Sequence, residues 1–352
     1  MSYLCIMEVR AKKSLGQHFL TDQDIARRIV DALKGSPALE VGPGMGVLTQ
    51  YLLGRYRVSK SIPSMAGQPL EPSEGSLVAS SGGSATATLG TLRGGTGAER
   101  SDATGGAEHS EAAGPSELAT TAATIGTLRG ETGPVGLKAV EIDKESVAYL
   151  KKHFPELGEG LIEDDFLKMD LAGLFPGHFS IIGNFPYNIS SQIFFKIIEN
   201  RDLVPEVVCM IQKEVAERIA EKPGTKTYGI LSVFLQAWYN IEYLFTVGPG
   251  AFNPPPKVHS AVIRLTRNSR TTLGCDEKMF KTVVKTAFGQ RRKTLRNSLK
   301  PLLQKAEGPS GPCAVGITSL SSDPVFNLRP ERLSVEDFIT LTQKLSVRPE
   351  TE

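Results

Sequence analysis

At 352 residues the chain exceeds the roughly 100–200 residues of an average domain, so two domains, or one domain with a large insertion, are expected. A hydrophobic share of 40% and a charged share of 22% suit a globular protein, but 35 Gly and 22 Pro beside only 7% aromatics show that something dilutes the fold. The longest apolar runs, such as residues 193–198, fall far short of the roughly 18 residues that cross a bilayer, which excludes a membrane helix. The N-terminal stretch carries its positive charge after its apolar residues, the reverse of a secretory signal, so a cytoplasmic enzyme or binding protein is expected. Cys5, Cys209, Cys275 and Cys313 lie far apart with no CxxC pair, which suggests reduced thiols and neither a zinc site nor a disulfide framework.

In chain order, apolar spacing predicts a helix over residues 22–33, closed by Gly35-Ser36-Pro37. A short buried strand follows at Ala38-Leu39-Glu40-Val41, then glycines and a helix over residues 47–53. Residues 59–136 contain no Phe, Trp or Tyr and repeat a unit, TLGTLRGGTG from Thr88 and TIGTLRGETG from Thr124. So few large apolar groups cannot offset a backbone ordering cost of roughly 1–2 kcal/mol per residue, and the segment is read as a disordered insertion. It holds four basic residues (Lys60, Arg93, Arg100, Arg129) and eight acidic ones, a net −4; the chain total is +2, so the remainder carries +6. That excess suits an anionic partner such as nucleic acid.

Beyond the insertion, strands are predicted at residues 138–142, 180–183, 207–211 and 258–265, with helices over residues 144–153 and 190–199. The alternation argues for an open, mostly parallel α/β sheet, and the purely helical pattern after Asp276 for a small C-terminal helical domain. The expected division is a catalytic domain over residues 1–270, interrupted at 59–136, and a helical domain over residues 271–352.

Four motifs carry chemistry. Glu40-Val41-Gly42-Pro43-Gly44-Met45-Gly46 lies between a strand and a helix, where glycines let a ligand approach the backbone, although a plain tight turn would look similar. Val47 replaces the third spaced glycine of a dinucleotide fingerprint, and the pattern instead resembles the cofactor loop of S-adenosylmethionine-dependent methyltransferases. Glu141 ends the next strand, where a carboxylate can accept from both ribose hydroxyls. It follows Gly46 by 95 residues, of which 78 are insertion; the 17 left are close to the roughly 20 of a nucleotide-binding unit. Asp143 competes for that role but is better placed to cap the following helix. In Glu163-Asp164-Asp165-Phe166 an acid can hold an adenine amino group, with a solvated loop as the alternative.

The most specific motif is Gly183-Asn184-Phe185-Pro186-Tyr187-Asn188, which resembles the (Asn/Asp)-Pro-Pro-(Tyr/Phe) type of loop that methylates exocyclic amines. Such an amine is a poor nucleophile because its lone pair is delocalised into the ring. The carbonyls of the Asn184 side chain and the Phe185 backbone can accept its N–H groups, Pro186 stiffens the loop, and Tyr187 can stack on the extruded base. A proline-containing turn is the alternative.

Together with Lys12-Lys13-Ser14-Leu15-Gly16-Gln17-His18-Phe19-Leu20, Phe252-Asn253-Pro254-Pro255-Pro256-Lys257-Val258 and Gly289-Gln290-Arg291-Arg292-Lys293-Thr294-Leu295-Arg296, these motifs resemble the small-subunit ribosomal RNA adenine N6-dimethyltransferases. The resemblance implies a Rossmann-like S-adenosylmethionine-dependent methyltransferase sheet with a small C-terminal helical domain. It implies dimethylation of N6 on two adjacent adenosines in the 3′-terminal hairpin loop of 16S ribosomal RNA, acting on the immature 30S subunit, with S-adenosylmethionine as donor, no metal and no membrane partner. A monomer is expected. Carried over, His18, Leu20, Gly42, Gly44, Glu141, Asp165 and Asn184 bind the donor, and Asn184, Phe185, Pro186 and Tyr187 serve catalysis. Many relatives have Asn where this chain has His18. Lys12, Lys13, Lys257, Arg291, Arg292, Lys293 and Arg296 are the expected RNA contacts, the last four on a helix whose apolar face is Val284, Phe288, Leu295 and Leu299. Residues before Met7 match nothing in the family pattern, so translation is expected to begin at Met7.

Three other readings fit part of the pattern. A large-subunit RNA methyltransferase of the antibiotic-resistance type shares the donor and target-base motifs, although the Gln290-Arg291-Arg292-Lys293 tail argues against it. A DNA adenine methyltransferase and a ribosome-assembly checkpoint protein are the remaining two. Excision of residues 59–136 is expected to leave a cooperative thermal transition and methyl transfer intact; loss of the transition would show that the segment belongs to the core.

Overall fold

A computed structural model describes residues 9–35, 37–58, 136–307 and 322–346, which belong to one contiguous unit. Nearly all of the low-complexity segment, the residues around Met7 and the Gly/Ser-rich stretch over 308–321 lie outside the described residues, and with them the expectations of disorder and of the start site. Strand β1 (Phe19–Leu20) leads into helix α1 (Gln23–Ala32). Asp22 starts α1 by accepting from the amides of Asp24 and Ile25 at 3.0 Å each, a cap that contributes about 1 kcal/mol. Ala26, Ile29 and Val30 form its buried stripe.

The central sheet begins with β2 (Ala38–Val41), followed by α2 (Thr49–Val58), and resumes after the low-complexity segment with β3 (Leu137–Glu141) and α3 (Lys144–His153). Then come β4 (Leu161–Glu163), β5 (Ser180–Asn184), α4 (Ser190–Glu199), β6 (Glu206–Gln212), α5 (Lys213–Ala220), α6 (Ile230–Gln236), β7 (Tyr239–Val247), β8 (Phe252–Asn253) and β9 (Ser260–Arg267). Seven strands lie in the order β4-β3-β2-β5-β6-β9-β7. Neighbours from β4 to β6 are parallel, while β9 runs antiparallel to both β6 and β7. The two-residue strands β1 and β8 pair separately.

Period-two alternation explains the burial. Leu39, Val41, Val140, Ile181, Val207 and Cys209 enter one hydrophobic cluster, and Ala38, Ala139, Ile182, Val208 and Met210 enter the other. The first cluster continues into α7 (Glu277–Gly289), α8 (Leu295–Ser298), α9 (Lys300–Glu307) and α10 (Val335–Ser346) through Val284, Phe288, Leu295, Leu299, Leu303 and Phe338. The second packs α1 and α2 against the opposite face.

The expected basic helix is two helices joined by a turn. Helix α7 stops at Gly289, Gln290 takes φ −123° and ψ 49°, and α8 restarts only after Thr294. A glycine costs a helix interior about 1 kcal/mol, and the adjacent cations Arg291, Arg292 and Lys293 repel one another, while the turn still returns Leu295 to the core. Val258 is 43% exposed, and its strand begins only at Ser260. Among the described residues no helix is long and apolar enough to cross a membrane. Cys209 and Cys275 are free thiols.

One charged residue interrupts the apolar run of β2. Glu40, within β2, is 1% exposed, and the hydroxyl of Thr49 at the start of α2 donates to its Oε2 at 2.7 Å. Burial pushes its carboxyl up to about 8, with the Thr49 bond pulling the other way. The folded chain therefore retains a proton that the unfolded chain releases near the ordinary value of 4.5, and stability falls as pH rises from about 4.5 to about 8, by at most roughly 1.4 kcal/mol per pH unit. Glu40→Gln is expected to flatten that slope, so that it gains on the parent protein as pH rises through this window. Denaturant midpoints across the window check it; parallel curves for the two proteins would contradict a buried, protonated Glu40.

Candidate active site

Strand β2 has β3 on one side and β5 on the other, so the sheet order reverses there and the loops leaving these strands diverge around a crevice. Leaving β2, Gly44 adopts φ 58° and donates its amide to Glu141 Oε2 at 3.0 Å. Glu141 ends β3 and is 5% exposed; its Oε1 accepts from the amides of Ile142 at 3.0 Å and Asp143 at 2.9 Å. Burial raises the carboxyl pKa, while these three amides favour the anion. A Cβ added to Gly42 would meet nothing within 4 Å, so the glycine faces open space.

At the end of β5 the backbones crowd together: a Cβ on Gly183 would lie 2.4 Å from the Val41 carbonyl oxygen, so only glycine fits. The next residue, Asn184, donates Nδ2 to the His18 carbonyl at 3.0 Å, and its Oδ1 accepts no hydrogen bond among the described residues. Phe185 donates its amide to the Met210 carbonyl at 3.0 Å, which fixes the loop on β6, while its own carbonyl also accepts none among the described residues. The Phe185 ring is buried edge-on to Phe194, with centroids 5.9 Å apart. Tyr187 hydrogen-bonds Ser260 Oγ at 2.5 Å and stacks on His18 with ring centroids 5.5 Å apart. Burial raises the phenol pKa, against the Ser260 bond.

The segment carrying His18 and Leu20 is held over this crevice from two sides. Phe19 and Leu20 pair with Asn253 and Phe252, and His18 Nδ1 lies 2.9 Å from the Pro254 carbonyl. At its other end Lys12 Nζ pairs with Asp143 at 2.5 Å and Glu145 at 3.1 Å. Asp143 also caps α3 by accepting from the Glu145 amide at 3.3 Å, as its position in the sequence suggests.

Every residue expected to serve donor binding or catalysis lines one cleft of about 260 Å³. Asp165 reaches it from beyond β4, with Oδ1 accepting from the Leu167 amide at 3.0 Å and Phe166 buried beside it. The expected RNA contacts lie outside the cleft and divide into two groups. Lys12 is committed to Asp143 and Glu145, Arg291 donates to the carbonyls of Thr225 and Lys226, and Arg296 donates to Asn327 Oδ1 at 3.0 Å. The side chains of Lys13, Lys257, Arg292 and Lys293 are exposed and make no hydrogen bond or ion pair among the described residues. Gln17, Ser260, Glu40 and the anchoring role of Asp143 were not legible as site features, except that a lone carboxylate within an apolar strand hints at Glu40. No cluster of three or more metal-ligating side chains occurs among the described residues.

The family described as ribosomal RNA adenine dimethylase matches residues 8–62 and 136–310, on either side of the low-complexity segment. The chain is 47% identical over 341 residues to a ribosomal RNA small subunit methyltransferase A of Bacteroides thetaiotaomicron, covering 96% of this chain and 94% of that protein. It is 44% identical over 342 residues to the protein of the same name from Porphyromonas gingivalis, covering 96% and 98%. A crystal structure of a dimethyladenosine transferase from Plasmodium falciparum shares the fold, with a TM-score of 0.57, 20% identity, and coverage of 93% of this chain and 96% of that one. With its motifs gathered in one cleft and its sequence matched on both sides of the inserted segment, the chain belongs to the ribosomal RNA adenine dimethylase family.

Proposed function

We propose that the chain dimethylates N6 of two adjacent adenosines in the 3′-terminal hairpin loop of small-subunit ribosomal RNA, using S-adenosylmethionine, and that it acts as a monomer on the immature 30S subunit. The observation that carries this reading is the pair of uncommitted acceptors, Asn184 Oδ1 and the Phe185 carbonyl, at the end of β5. They lie on the cleft that also holds the glycine loop and the Glu141 carboxylate. An exocyclic amine has two N–H groups to give, and accepting both favours a pyramidal nitrogen with its lone pair freed from the ring. The hydrogen bond from Asn184 Nδ2 to the His18 carbonyl fixes which end of the amide is offered. Tyr187, held by Ser260, presents a ring on which an extruded base can stack.

The residues present fit the donor. Glu141 offers a carboxylate to ribose hydroxyls, the open face of Gly42 admits the amino-acid end, and Ile142, 51% exposed, offers an apolar face beside Asp165 for the adenine. When bound, S-adenosylmethionine supplies a methyl group on a positively charged sulfur. RNA binding is assigned to Lys13, Lys257, Arg292 and Lys293, the last two on the turn between α7 and α8, within the helical segment 271–352. The catalytic part is then residues 1–270, interrupted at 59–136.

Transfer of tritium from labelled S-adenosylmethionine to immature small subunits, with the adduct mapped, tests the substrate. Label at two neighbouring adenosines near the 3′ end supports the reading; no label near the 3′ end contradicts it. Asn184→Ala is expected to lower kcat by roughly 10²-fold while changing the affinity for S-adenosylhomocysteine by less than about threefold, because its contact strengthens as the nitrogen becomes pyramidal. Equal losses of both quantities would count against the role of Asn184.

A further inference from the structure

Lys12 and Gln17 grip the same buried carboxylate. A single 3-10 turn, Lys13–Leu15, brings them together: the Leu15 amide donates to the Lys12 carbonyl at 3.1 Å, and the Lys12 amide donates to Gln17 Oε1 at 2.9 Å. From that turn Lys12 Nζ reaches Asp143 Oδ1 at 2.5 Å, and Gln17 Nε2 donates to Asp143 Oδ2 at 3.2 Å. The carboxylate is 2% exposed, against 34% for the lysine side chain, so a partly solvated cation compensates a buried anion. Burial pushes the Asp143 carboxyl up, but the hydrogen bonds from Lys12, Gln17 and the Glu145 amide hold it below the ordinary carboxylate range.

The grip has consequences in two directions. Through its own amide Asp143 donates to Glu141 Oε1, so whatever fixes Asp143 also fixes the carboxylate assigned to the donor ribose. Along the chain, Gln17 is followed by His18, whose carbonyl orients Asn184, and by Phe19 and Leu20 in β1. One short segment therefore touches both the donor side and the acceptor side of the cleft. Its ammonium is occupied by Asp143 and Glu145, whereas the neighbouring Lys13 has no side-chain partner among the described residues.

We propose that Lys12 and Gln17 are positioning residues of the methyl-donor site, seating the segment that carries His18 and Leu20 through their shared hold on Asp143; this rests on the donor reading above. Lys12 is thereby assigned to donor binding, and the phosphate contact at this end of the chain falls to Lys13.

The test compares Lys12→Met, Lys12→Arg and Lys13→Met in the full chain. The readouts are S-adenosylhomocysteine affinity by calorimetry without RNA, donor KM and kcat, and the salt dependence of RNA binding. Lys12→Met is expected to raise the S-adenosylhomocysteine Kd and the donor KM about tenfold, with kcat at saturating donor within about twofold, and Lys12→Arg to restore both to within about threefold. The salt slope of RNA binding should be unchanged in Lys12→Met and shallower by about one in Lys13→Met. Unchanged donor affinity in Lys12→Met with a shallower salt slope would overturn the proposal in favour of a phosphate contact, and a loss that Arg does not restore would overturn it in favour of general packing. If Lys12→Met does not fold, Gln17→Leu carries the same comparison, with a raised donor KM at constant kcat as the expected result. Failure of the unaltered chain to bind S-adenosylhomocysteine would overturn the donor reading itself.

Discussion

The site is organised by a buried carboxylate that collects backbone amides from three places. Glu141 accepts from Gly44 in the loop after β2, from Ile142 beside it, and from Asp143 at the start of α3. A buried carboxylate without such donors would cost several kcal/mol, so the geometry of the glycine loop and of the α3 cap are fixed by the same charge. The reversal of strand order at β2 opens the crevice, and Glu141 defines its wall.

The acceptor side follows a different constraint. Gly183 lets β5 run within van der Waals distance of the Val41 carbonyl, and Asn184 and Phe185 emerge directly after that close approach. Their positions are then set by bonds to His18 and Met210, which leaves two oxygens without partners among the described residues. Both oxygens belong to residues that line the cleft. Tyr187 and Ser260 join the loop to β9, the last strand of the sheet in chain order.

Local pattern carried much of this. The apolar runs at Ala38-Leu39-Glu40-Val41 and residues 180–183 read as strands because both faces of a parallel sheet are buried, and Asp143 reads as a cap, in preference to a ribose ligand, because it immediately precedes an apolar-periodic run. What remained illegible depends on distant pairing. The β1–β8 ladder joins Phe19 to Asn253, and the Lys12–Asp143 pair spans 131 residues, with no periodicity to announce either. A lysine beside another lysine reads as a phosphate contact until its partner is seen. The stretch over 284–300 misled in the opposite way: its apolar residues do reach the core, but through two helices and a turn, because apolar spacing alone cannot distinguish a continuous helix from one broken at Gly289.

The most direct test of these roles is a structure of the chain with S-adenosylhomocysteine and an adenosine-containing oligonucleotide that mimics the target loop. N6 of one adenine is expected within hydrogen-bonding distance of Asn184 Oδ1 and the Phe185 carbonyl, and the donor ribose on Glu141. An adenine seated in the cleft with N6 turned away from both oxygens would contradict it.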